Sequence, residues 1–281
     1  MKKSSFVIIF RWLFVLYFII NVSFANADMQ KKKLQFLKTD ANVRFGIWGK
    51  KPDKPAPTLF ILSATIEESL GDSYFRQCGN ILADKGYLCV SLDLPCHGLE
   101  KKPHEPSNLA GWRNRIEHNK PFIAEFNARA VDVLNYLVTE GYTNSEKVAV
   151  CGTSRGGFLA LHFAAIEPRI KCVAAFAPVV DLGTLRDFKG LEQRPNVLSL
   201  GLTNIADKLV GRDIWLVIGD QDTAVDTDKV IGFARKVSDL SCKKSRIELH
   251  VMPEPRGHTT PAGAAEQAAI WIDKRLAHSK K

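Results

Sequence analysis

Three residues of this 281-residue chain carry side chains that can do together what none does alone. Ser154 stands in Gly152-Thr153-Ser154-Arg155-Gly156-Gly157, Asp222 in Gly219-Asp220-Gln221-Asp222, and His258 directly after Gly257. A serine hydroxyl is a weak nucleophile until a neighbouring base takes its proton, and the base needs an acid to fix its tautomer and stabilise its cation. The set therefore predicts acyl transfer, with Ser154 as nucleophile, His258 as base and Asp222 as the orienting acid. Asp220 and Asp181 are the alternative acids, and Asp226 reads as a helix N-cap. His250 falls inside a predicted strand and His162 inside a predicted helix, which marks both as structural histidines. His97, in Leu94-Pro95-Cys96-His97-Gly98, is a lesser candidate for the pocket.

Those side chains are far apart in sequence, so the elements between them must bring them together. Lys147–Cys151 alternates and is β-branched enough for a short buried strand, while Gly156–Ala165 is apolar and Ala/Leu-rich enough for a buried helix. A turn that sharp forces its central residue into a strained backbone, and glycine at 152 and 156 removes the collisions two positions away. Ser154 Oγ is then raised at the carboxyl end of the strand, and the helix that follows offers backbone N–H groups and the positive end of its dipole.

Further strands are expected at Thr58–Ser63, Tyr87–Asp93, Ile170–Ala177, Ile214–Gly219 and Arg246–Met252, with one or two edge strands in Lys31–Trp48. Helices are expected at Asp72–Lys85, Pro121–Glu140, Asp226–Leu240 and Pro261–Ala277, the last with Thr260 as N-cap, and a short one near Asn204–Val210. Ala64–Gly71 reads as a loop, and Leu94–Lys120, polar and proline-broken, as a loop or lid in which Trp112, Arg113 and Arg115 could line a pocket for a carboxylate or a sugar. Strands alternating with helices, several of them apolar on both faces, predict an α/β fold: a mostly parallel central sheet flanked by helices on both faces. In such a sheet the loops beyond the strand carboxyl ends meet in one crevice, and the residues after 153, 219 and 252 all lie there.

The first 27 residues read as a secretory signal peptide: Lys2, Lys3 and Arg11 are basic, Trp12–Ile20 is an unbroken apolar run, and Ala25-Asn26-Ala27 is a small-x-small cleavage site. That run is short for a spanning helix, so no stable membrane insertion is expected after cleavage and residues 28–281 are expected to form one exported domain. Removing the leader lowers the formal charge from +9 to +6, because it takes away three basic residues and no acidic ones. So mild a balance excludes a nucleic-acid footprint. The six cysteines show no metal-binding spacing; Cys89, Cys151 and Cys172 fall in core strands as small hydrophobes, while Cys78, Cys96 and Cys242 are open to pairing in an exported protein.

The elbow GTSRGG, the post-strand G-x-x-D at 219–222 and the late Gly-His at 257–258 together resemble the α/β-hydrolase superfamily over roughly residues 55–278, in particular its dienelactone-hydrolase and prolyl-oligopeptidase-like branches. The resemblance implies the α/β-hydrolase fold, the Ser154-His258-Asp222 triad and an oxyanion hole made of backbone N–H groups. Arg155 supplies the first donor. Many relatives carry His-Gly after the strand that here ends Leu62-Ser63-Ala64-Thr65, so the second donor is assigned by position to Thr65, with Ala64 as the alternative. Dienelactone hydrolases carry cysteine at the elbow where this chain has serine. The function expected is thus an exported serine hydrolase acting on a small-molecule ester or acyl substrate, most simply a carboxylic ester, and calling for no metal or organic cofactor. The rivals are a serine peptidase of the oligopeptidase type and a catalytically silent binding protein on the same fold. The oligopeptidases usually add a large N-terminal propeller, which the about thirty mature residues before the first strong strand do not provide.

Overall fold

A computed structural model describes residues 34–242 and 246–277; the signal-peptide reading of residues 1–27 lies outside them. Eight strands form one sheet: β1 (Leu34–Lys38), β2 (Arg44–Trp48), β3 (Ala56–Leu62), β4 (Leu88–Ser91), β5 (Thr143–Thr153), β6 (Ile170–Phe176), β7 (Asp213–Gly219) and β8 (Ile247–Met252). Their order is β1-β2-β4-β3-β5-β6-β7-β8. β2 runs antiparallel to both β1 and β4, and every pairing from β4 to β8 is parallel.

Parallel neighbours need long crossovers, and those crossovers are the helices that cover the sheet. α1 (Ile66–Gly71) follows β3; α2 (Asn108–Glu117) and α3 (Phe122–Thr139) lie between β4 and β5; α4 (Arg155–Ile166) follows β5, α5 (Thr227–Leu240) follows β7, and α6 (Ala264–Ala277) follows β8. The period-two alternation of the strands divides their side chains between two cores. Phe60, Leu62, Val148, Val150, Leu216 and Ile218 pack with the residues of α2, α3, α4 and α5. Leu59, Ile61, Ala149, Cys151, Trp215 and Val217 pack on the opposite face with α1 and α6. β7 is buried at every position, so its unbroken apolar run reflects a strand covered on both sides.

Four expectations need correction. The helix expected over Asp72–Lys85 is two single turns, Ser73–Arg76 and Gly79–Leu82, followed by a 3₁₀ turn, because Gln77 between them stands at φ 45°, ψ −118°. The loop expected at Ala64–Gly71 contains α1, capped by Thr65, whose Oγ1 accepts from Glu68 N at 3.1 Å. Leu94–Lys120 is not an open loop: α2 lies in it and sinks Trp112 and Arg115 into the protein at 0% and 2% exposure. Thr260 does not cap the last helix, which begins at Ala264. All six cysteines are unpaired, and of the three open to pairing only Cys242 is exposed. No helix among the described residues is long and apolar enough to cross a membrane.

Candidate active site

β5 ends and α4 begins on the same turn. Ser154 takes φ 55°, ψ −118° there, a conformation that an L residue adopts only when its surroundings force it. Three bonds do the forcing in part: Ser154 N donates to Phe176 O at 2.9 Å, and its carbonyl accepts from Val179 N and Phe158 N, both at 3.1 Å. The flanking glycines permit the approach. A Cβ at Gly152 would lie 2.4 Å from the Gly156 backbone, and one at Gly156 would lie 1.9 Å from the Leu62 carbonyl oxygen. With no side chain at either position, β3, β5 and the start of α4 close around Ser154.

His258 comes from the turn beyond β8 and Asp222 from the turn beyond β7. His258 Nδ1 lies 2.8 Å from Asp222 Oδ2, and His258 Nε2 lies 3.0 Å from Ser154 Oγ. A carboxylate only accepts, so Nδ1 carries the ring proton and Nε2 presents its lone pair to the serine hydroxyl. The Asp222 side chain is wholly buried, whereas that of His258 is one-third exposed. Burial alone would raise the Asp222 pKa. The hydrogen bond from His258, its charge, and the N–H groups of Val225 and Ala224 outweigh burial and hold the carboxyl below the usual aspartate range. The carboxylate thus stays ionised beside the imidazole.

The other acids are engaged elsewhere. Asp220 accepts from Glu254 N at 2.9 Å and so fixes the turn after β8. Asp181 caps a 3₁₀ turn through Gly183 N at 2.8 Å and pairs with Lys229 at 3.2 Å, and Asp226 caps α5. His162 and His250 lie away from Ser154: His162 Nε2 donates to Leu200 O at 3.1 Å, and His250 packs on the Trp215 ring at 4.9 Å between centroids. His97 is buried with Nδ1 donating to Pro95 O at 2.8 Å; burial, then the charge of Arg155, push its pKa down to about 4. The cluster on α2 is bonded within the protein. Trp112 Nε1 donates to Pro95 O at 2.7 Å, Arg113 reaches the carbonyls of Asp187 and Lys189 at 3.0 Å each, and Arg115 is paired with Glu105 at 2.9 Å.

On the side where the oxyanion hole is expected, Arg155 is the first residue of α4, where a helix leaves its N–H groups without an internal acceptor. Its side chain folds back over the end of β3, Nε donating to Ser63 O at 3.2 Å. Beyond β3, Ser63 N donates to Ser69 Oγ at 3.1 Å and Ile66 N to Asp93 Oδ1 at 2.9 Å. The Ala64 and Thr65 N–H groups between them take no protein acceptor among the described residues.

Three residues that support the site carry little or no sequence signal. Asp93 joins the loop after β4 to the start of α1, accepting from Ile66 N and, at 3.1 Å, from Leu99 N. An acidic residue ending a buried strand was its signal. Gln77 and Tyr74, which touch the loop carrying His258, lay inside a stretch that read as an ordinary helix and gave none.

Comparison with known proteins agrees with this architecture. The prolyl oligopeptidase family profile matches residues 128–280, just over half of the chain. No curated protein sequence matches. Among solved structures, acetyl xylan esterase 1 from Thermoanaerobacterium sp. superposes with a TM-score of 0.63 at 15% identity, covering 87% of this chain and 88% of that one. An esterase from Pyrococcus furiosus gives 0.59 at 18% identity, covering 87% and 90%. Dipeptidyl peptidase 4 from Porphyromonas gingivalis gives 0.60 at 16% identity over 86% of this chain but only 35% of its own length. Such likeness shows the fold, that of the α/β-hydrolases.

Proposed function

The chain belongs to the prolyl oligopeptidase family of hydrolases, and on that premise we propose that it is an exported carboxylic-ester hydrolase working through Ser154, His258 and Asp222. The observation that carries the reading is the unbroken line from Ser154 Oγ through the His258 ring to the Asp222 carboxylate, at 3.0 and 2.8 Å. His258 Nε2 takes the serine proton as Oγ attacks the acyl carbonyl, and Asp222 stabilises the imidazolium that results. The oxyanion is held by the N–H groups of Arg155 and Thr65, with Ala64 as the alternative to Thr65. Each such donor is worth about 10²–10³ in rate in enzymes of this kind. His258 then hands its proton to the departing alcohol, and water enters through the partly exposed face of the ring to release the acid. Every step draws on the chain's own groups.

An alcohol is the leaving group of choice because an alkoxide departs with less help from the single acid, His258, than an amide nitrogen does. The family match favours one second reading, hydrolysis of a peptide bond. Short p-nitrophenyl esters set against peptidyl anilides separate the two: faster ester turnover is expected, and faster anilide turnover overturns the choice. Modification of Ser154 by a fluorophosphonate, and its loss in Ser154→Ala together with activity, tests the mechanism. An unreactive Ser154, or full activity in the variant, sinks it. Export rests on the leader, and a mature chain beginning at Asp28 is the expected product.

A further inference from the structure

Gln77 is buried at 3% exposure and sits on a left-handed backbone, φ 45° and ψ −118°, that no glycine relieves. That conformation stops the first turn, Ser73–Arg76, and turns the amide toward the site. Gln77 Nε2 donates to Thr260 Oγ1 at 3.0 Å and to Thr153 Oγ1 at 3.3 Å. Thr153 is the residue before Ser154, and Thr260 is two residues after His258. One amide thus joins the chain that carries the nucleophile to the chain that carries the base. Tyr74, from the same turn, adds a second grip: its hydroxyl accepts from Thr260 N at 3.0 Å and bonds Thr259 Oγ1 at 2.8 Å.

The loop with His258 needs such a grip. It belongs to the turn beyond β8, which among the described residues is an edge strand with no neighbour on its outer side, and the residues between β8 and α6 form no helix or strand of their own. Asp222 orients the His258 ring, but a ring-to-carboxylate bond does not fix how far the loop stands from β5. The two bonds of Gln77 do, because they run from the β5 end to the loop itself. Strained backbone at a buried polar residue persists where the surroundings over-determine it, and here they do so beside the site.

We propose that Gln77 is a positioning residue, which holds His258 Nε2 within reach of Ser154 Oγ by tying Thr260 to Thr153. It rests on the reading of Ser154 as nucleophile. Gln77→Gly tests it at small cost in folding, since the relief of backbone strain at this φ offsets part of what is lost with the amide. Thermal stability is expected to be largely kept. The kcat for a short p-nitrophenyl ester is expected to fall about 10- to 100-fold, with KM within about twofold, and fluorophosphonate labelling of Ser154 to slow by a similar factor. Thr260→Val is expected to lose a comparable factor, and the double variant to fall no further than the worse single one, because the Gln77–Thr260 bond that Thr260→Val removes is already absent in Gln77→Gly. Wild-type kcat and labelling rate in Gln77→Gly, or additive losses in the double variant, overturn the proposal while leaving the nucleophile reading intact. A wild-type chain that the probe does not label overturns both.

Discussion

Alanine at Gly156 places a methyl group where the backbone of another strand already is. Its Cβ would stand 1.9 Å from the Leu62 oxygen, 2.4 Å from the Leu62 carbonyl carbon and 2.9 Å from Ser63 N. None of these atoms can swing aside as a side chain can, so the end of β3 and the start of α4 must separate by more than about 1 Å to reach ordinary contact. Over-packing of this kind costs about 1–3 kcal/mol, and the helix preference of alanine over glycine returns at most about 1 kcal/mol, less in a first turn. A net loss of about 1–2 kcal/mol is expected. The larger effect falls on the reaction, because the strand end that moves leads into Ala64 and Thr65, the proposed oxyanion donors. A shift of about 1 Å there is worth about 10² in kcat. Gly157 is the internal control: a Cβ there meets Pro178 Cβ at 3.0 Å, Gly152 O at 3.1 Å and Ala175 Cβ at 3.3 Å, so a few tenths of an ångström suffice. Gly157→Ala is expected to stay within about 1 kcal/mol of the parent and within a few-fold in kcat. Urea unfolding and ester kinetics on the two variants side by side decide the matter. Gly156→Ala as stable and as active as Gly157→Ala would refute the reasoning.

Asp222→Asn keeps the shape of the side chain but lets its amide donate, so the His258 tautomer with Nδ1 protonated loses its acceptor; kcat on an ester is expected to fall by about 10³–10⁴ with KM little changed, and a parent-like kcat would remove Asp222 from the mechanism. His162→Gln tests the pH dependence of folding. Burial, with Lys208 assisting and the Leu200 carbonyl opposing, pushes the His162 pKa from the usual 6.5 down to about 4. The unfolded chain therefore takes up its proton first, and the stability owed to a neutral His162 is whole above about pH 6.5 and is lost as pH falls toward 4. At pH 5 the loss is about 2 kcal/mol from this residue. Glutamine can still donate to Leu200 O and does not titrate, so the drop in unfolding free energy from pH 8 to pH 5 is expected to shrink by about that much, and an unchanged drop in urea melts would contradict it.

The sheet was legible because its signals are local. β3, β5, β6 and β7 are apolar runs that alternate between two cores, and a run apolar on both faces has nowhere to go but between helix layers. Glycine at 152 and 156 announced the elbow for the same reason: the steric demand acts between residues two positions apart. What failed were places where a distant group overrides local preference. Asp72–Lys85 has the composition of one helix, yet Gln77 breaks it to reach Thr153 and Thr260, partners 76 and 183 residues away. Leu94–Lys120 is polar enough for an exposed lid, yet Trp112 and Arg115 are buried, since Pro95 O and Glu105 satisfy their polar atoms from within the same segment.

The same distinction separates what could be known of the site in advance from what could not. Position beyond the strand ends sufficed to group Ser154, Asp222 and His258 as candidates at one edge, because a parallel sheet sends all its carboxyl ends there whatever the crossovers contain. It did not suffice to choose among acids by chemistry alone: Asp220 is two residues from Asp222 and of equal charge. The choice came from the turn, which directs Asp220 to Glu254 N and gives Asp222 the N–H groups of Ala224 and Val225 beside the His258 ring. Two backbone donors on one oxygen of Asp222 leave its other oxygen for the imidazole. An aspartate so held keeps its charge and its direction, and Asp220, whose Oδ1 is committed to the turn after β8, does not replace it.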